Sequence, residues 1–86
     1  MPLYMIERQF AAKLEPSVEG LQAIESANAE AGVEWLYSFL SADKTKTYCL
    51  YQAQDPNALL DAAAKAGIPA DKIVEVDRMD PRPVAT

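Results

Sequence analysis

The chain contains no histidine and a single cysteine, Cys49. Those two shortages exclude a good deal of chemistry. A tight zinc centre of the usual nitrogen and sulfur type cannot form within one chain, because it needs several His or Cys donors. Nucleophiles such as Ser38 and Cys49 lack the imidazole base that most often activates a hydroxyl or thiol. A lone thiol closes no internal disulfide. Positive charge is also scarce, with 8 Lys and Arg against 13 Asp and Glu and a net charge of −5. A nucleic-acid partner needs a concentrated basic surface to neutralise phosphates, so that class is excluded. Docking on an anionic membrane is disfavoured for the same reason.

Long apolar runs are missing too. No segment approaches the roughly 20 apolar residues that span a bilayer. The opening "MPLYMIERQF" lacks the basic start and apolar run of a secretory signal. A cytoplasmic protein is the expectation. The three glycines are scattered, so no loop is built to cradle phosphate. "DPNALLD" lacks the glycine and distal glutamate of an EF-hand loop. What remains is an ordinary globular composition, half of it hydrophobic, in 86 residues, enough for one domain with a core.

The patterning of that material is clear. "LYMIERQF", residues 3–10, reads as a strand. Pro16 and Ser17 start a helix, with Ser17 as N-cap and Leu21, Ile24, Ala27 and Ala31 at helical spacing up to Gly32. "VEWLYSFLS" (33–41) and "KTYCLYQA" (46–53) form a hairpin around the turn "ADKT". "DPNALLDAAAKAG" is a second helix, capped by Asp55, begun by Pro56 and ended by Gly67. "DKIVEVDRM" (71–79) is the fourth strand, and the Pro-rich "DPRPVAT" (80–86) is an extended tail. A single domain over residues 1–79 therefore has the order β-α-β-β-α-β. Its two similar halves predict an α+β, ferredoxin-like fold: a four-stranded antiparallel sheet in the order 4-1-3-2, with both helices on one face.

Alternation assigns the side chains to faces. Tyr4, Ile6, Arg8 and Phe10 are expected under the helices, with Trp35, Tyr37 and Phe39, with Cys49 and Tyr51, and with Val74 and Val76. Cys49 is then a small hydrophobe in the core. Leu3, Met5, Leu36, Leu40, Leu50, Ile73 and Met79 are left on an open face that two helices cannot cover. Such a face points to a homodimer packed sheet to sheet, with a cavity between the sheets. Glu7, Gln9, Glu75 and Asp77 fall on the same open side. Glu7, Glu75 and Asp77 there form a candidate site for a divalent cation, since clustered carboxylates repel unless a cation joins them. Glu7, Ser38 and Tyr48 are the candidate ligand-binding residues. The expected function is that of a non-enzymatic binding protein for a small molecule or metal ion, with no catalytic residue assigned. Two alternatives stand beside it. One is a cofactor-free oxygenase or isomerase using Tyr48 or Glu7 as acid or base, and the other is a protein-interaction module acting through the open sheet.

"YMIERQF", "GVEWLYSFLSADKTKTYCLYQA" and "AAAKAGIPADKIVEVDRMDP", in that order and spacing, cover nearly the whole chain. Together they resemble the small bacterial nickel-binding, ferredoxin-like proteins, a family whose domain was long classed as of unknown function. The resemblance implies a ferredoxin-like homodimer and, for at least one branch of the family, nickel as the bound metal.

Overall fold

Each helix is delimited by local chemistry. In the computed structural model, which describes residues 1–15, 17–79 and 81, the chain runs β1 (Leu3–Gln9), α1 (Val18–Ala31), β2 (Glu34–Leu40), β3 (Lys46–Gln52), α2 (Pro56–Ala66) and β4 (Lys72–Val76). Ser17 Oγ accepts from the Gly20 amide at 3.1 Å, and Asp55 Oδ1 accepts from the Ala58 amide at 3.1 Å, so each side chain satisfies a donor that the first helical turn leaves free. Gly32 and Gly67 end their helices with φ of 74° and 68°, a left-handed conformation that a β-carbon would strain. The Ile68 amide then folds back onto the Ala63 carbonyl at 3.1 Å. Pro16, Asp80 and residues 82–86, and with them the expected tail, lie outside the described residues.

The strands form one antiparallel sheet in the order β2-β3-β1-β4. This is the expected ferredoxin-like arrangement, with β1 and β3 central. Tyr4, Ile6, Cys49 and Tyr51 of the central strands meet Val33, Ala53, Leu59 and Ala62 in the core beneath the helices. Cys49 is a core residue, as its strand phase predicts.

Two strands depart from the expected alternation. In β2, Trp35 pairs with Tyr51, but the ladder then skips Leu36 and resumes with Tyr37 opposite Leu50. This β-bulge adds one residue and so inverts every later side chain. Tyr37 and Phe39 therefore join the open face, while Ser38, opposite Cys49, and Leu40, opposite Thr47, turn toward the helices. In β4, Glu75 lies opposite Tyr4 and Ile73 opposite Ile6, whereas Val74 and Val76 face Met5 and Leu3. Directly opposed residues share a face. Val74 and Val76 are thus on the open side and Glu75 and Ile73 on the helix side, the reverse of the sequence expectation. The physical reason is long-range. Asp71 locks the start of the edge strand, its amide donating to the Glu7 carbonyl at 3.0 Å and its Oδ2 accepting from the Gln9 amide at 2.7 Å.

Candidate functional site

The register places the candidate residues on both faces. Glu7, central on the open face, has Tyr48 opposite on one side and Lys72 on the other. Together with Met5, Val74 and Val76 these line a shallow hollow. Lys46 Nζ stands 3.6 Å from Glu7 Oε1, so lysines rather than carboxylates surround this acid. The pair is partly exposed and contributes little to stability. Glu75 is on the opposite face, beside Tyr4. Burial first, and then the Glu75 charge, push the Tyr4 hydroxyl above its ordinary pKa. Asp77 follows β4 and accepts from the Arg78 amide at 2.8 Å. Glu7 and Tyr48 are thus brought together, while Ser38 and Glu75 are separated from them by the thickness of the sheet. Among the described residues, no three His, Cys, Asp or Glu side chains converge as a metal-binding group.

Ser38 belongs to a second site. Helix α1 buries only Ala27 and Asn28, near its C-terminal end, where Asn28 Nδ2 donates to the Tyr51 hydroxyl at 3.4 Å. Its N-terminal half stands away from the sheet. Leu21 and Ile24 form a roof over a cavity of about 310 Å³ whose floor includes Arg8, Trp35 and Tyr51. One end is closed by the segment after β1, held where the Phe10 and Leu14 amides donate to the Thr45 and Lys44 carbonyls at 2.8 and 2.7 Å. The turn that supplies those carbonyls is itself fixed by Asp43. Asp43 Oδ1 accepts from the Ser41 and Thr45 hydroxyls, each at 2.7 Å, and from the Thr45 amide at 3.1 Å. Those bonds favour the carboxylate and hold its pKa down at about 2.

The cavity floor is an aromatic stack with one cation. Trp35 and Tyr51 lie nearly parallel, at 9°, with centroids 6.4 Å apart, and Trp35 Nε1 donates to Ser38 Oγ at 2.7 Å. The Arg8 guanidinium carbon sits 5.8 Å from the Tyr51 ring centroid. Burial pushes the Tyr51 hydroxyl pKa up, while the Asn28 hydrogen bond and the charge and hydrogen bond of Arg8 oppose the rise. Arg8 is only 3% exposed, yet no carboxylate lies within ion-pair distance of it among the described residues. Its Nη1 donates to the Pro69 carbonyl at 2.6 Å. A guanidinium has five N–H donors. Among the described residues no side-chain nitrogen or oxygen is sealed from solvent without a partner. Arg8 is one of the residues that line this cavity. Sequence reasoning placed Arg8 under the helices but did not name it as a ligand-binding residue. The available signal was an arginine in phase with Tyr4 and Ile6 on the covered face of a strand, where a charge needs a partner.

The model of one protein family, described as nickel responsive protein SCO4226-like, matches residues 4–76. No individually curated protein matches the sequence. Among solved structures, the crystal structure of SCO4226 from Streptomyces coelicolor A3(2) is similar, with a TM-score of 0.78 over 91% of this chain and 99% of that one, at 19% identity. At that identity the likeness establishes the fold. The family match spans most of the sequence, and the chain belongs to the nickel-responsive, SCO4226-like family.

Proposed function

We propose that this protein binds a small organic ligand without transforming it, in the cavity between α1 and the sheet. The carrying observation is a partly open apolar cavity lined by a buried arginine that has no carboxylate within ion-pair distance among the described residues. Its 310 Å³ lies at the small end of ligand pockets. The Trp35–Tyr51 stack gives an apolar body a flat surface to pack on.

Nickel is the ligand that the family description would carry to this chain, and the donor set does not fit it. Nickel favours imidazole and mixed nitrogen and oxygen sites, and the chain has no imidazole. The thiol is buried in the core, and Glu7 and Glu75 are on opposite faces. The observed geometry therefore favours an organic ligand over a metal ion.

A homodimer packed through the open sheet belongs to the same proposal. Tyr37, Phe39 and Val74 expose 53%, 58% and 42% of their surface there, with Tyr48 among them, and so large an apolar face is stabilised by a second copy of itself. The Glu7–Tyr48 hollow would then be covered at the interface. The free thiol suits the reducing cytoplasm as its compartment. Isothermal titration separates the ligand classes. Octan-1-ol is expected to bind saturably, one per chain, and nickel(II) to show no one-to-one site at neutral pH. Saturable nickel binding with no uptake of the alcohol would reverse the proposal.

A further inference from the structure

We infer that the ligand is a small amphipathic monocarboxylate, its carboxylate paired with Arg8 and its apolar body on the Trp35–Tyr51 stack; this rests on the cavity proposed above. The argument starts from the cost of burying charge. A cation out of water is destabilising unless hydrogen-bonded and paired. Among the described residues the Pro69 carbonyl and the ring and hydroxyl of Tyr51 orient the guanidinium but do not neutralise it. Arg8 lines the cavity, and a planar fork of N–H groups matches a carboxylate in two parallel hydrogen bonds.

Charge fixes the valence. Arg8 is the single cationic side chain among the cavity-lining residues, and the one acid there, Glu15, stands exposed at the rim. One buried cation compensates one negative charge. A phosphate dianion would leave a second charge uncompensated, in a molecule of net charge −5. Size sets the scale. At about 30 Å³ per water-sized group, 310 Å³ holds about ten non-hydrogen atoms. Octanoate has that size, and octan-1-ol is its uncharged counterpart.

The experiment compares the two by isothermal titration against the full chain, in the wild type and in Arg8→Met, which keeps an apolar stem and removes the charge. A charge-assisted hydrogen bond makes octanoate about tenfold to a hundredfold the tighter ligand. In Arg8→Met that preference is expected to vanish while octan-1-ol still binds. Because Arg8 also holds Pro69, the variant can fail to fold, and a wild-type measurement covers that outcome. The carboxyl of [1-¹³C]octanoate bound to the wild type is expected to titrate at least about one pH unit below free octanoate, the equivalent of a tenfold preference for the anion. Equal binding of acid and alcohol, or an unshifted carboxyl, overturns the carboxylate inference and leaves the cavity reading standing. A preference that survives in folded Arg8→Met overturns the role of Arg8. Failure of both compounds to bind at millimolar concentration overturns the cavity reading itself.

Discussion

Tyr51→Phe isolates one polar link between α1 and the sheet. The hydroxyl of Tyr51 accepts from Asn28 Nδ2 at 3.4 Å, with both residues buried. Phenylalanine keeps the ring, and with it the stack on Trp35 and the seat of Arg8, so the substitution removes only the hydroxyl and its hydrogen bonds, and the cycle with Asn28 isolates the one to α1. At that length the bond is at the weak end of its class, but Asn28 loses its partner and stays buried. The expected cost is about 1 kcal/mol. For a domain of this size that lowers Tm by about 4–8 °C, a visible part of a total stability of about 4–13 kcal/mol. Thermal and urea unfolding followed by circular dichroism, in a double-mutant cycle with Asn28→Ala, give the coupling. The two substitutions are expected to be less than additive by about 0.5–1 kcal/mol. Strict additivity, or a Tyr51→Phe protein as stable as the wild type, would show that the helix is not pinned through this bond.

Deleting Leu36 removes the bulge residue and restores a regular ladder without moving any neighbour to the other face. That deletion is expected to fold with both faces intact, whereas deleting Ser38 inverts the β2 residues on one side of it and is expected to abolish cooperative unfolding. Light scattering at micromolar concentration is expected to give twice the 9.4 kDa chain mass, with Tyr37→Asp returning the monomer; a monomeric wild type rules out the homodimer. Asp43 is held near 2 against an ordinary 3.8, so its contribution is complete above pH 3.8 and disappears as pH falls through about 2. A carboxyl NMR titration of Asp43 with its midpoint at 3.8 would contradict the turn geometry. Asp55→Ala, which uncaps α2, is expected to cost about 1 kcal/mol in urea unfolding.

The parts of this molecule legible in the sequence are those decided within a few residues. Ser17, Asp55, Pro56, Gly32 and Gly67 announce the helices because caps and left-handed C-termini are local chemistry. The faces of the central strands were legible as well, since Tyr4, Ile6, Cys49 and Tyr51 alternate without interruption. The edge strands were not. Nothing near Leu36 marks it as the extra residue of a bulge, and the phase of β4 follows from Asp71 meeting Glu7 and Gln9, which are more than sixty positions away in the chain. Glu75 and Ser38 therefore changed sides, and Glu7 was left among lysines. The cavity was hidden for a different reason. It arises from where α1 fails to touch the sheet, and a gap leaves no mark in the spacing of apolar residues.

The location of the ligand site is tested most directly by amide and indole NMR spectra of the protein titrated with octanoate. Binding between α1 and the sheet is expected to shift the Trp35 Nε1–H resonance and the backbone of Ile24 and Cys49, and to leave Glu7, Tyr48 and Lys72 in place. Shifts confined to Glu7, Tyr48 and Lys72, or no shifts at all, would contradict it.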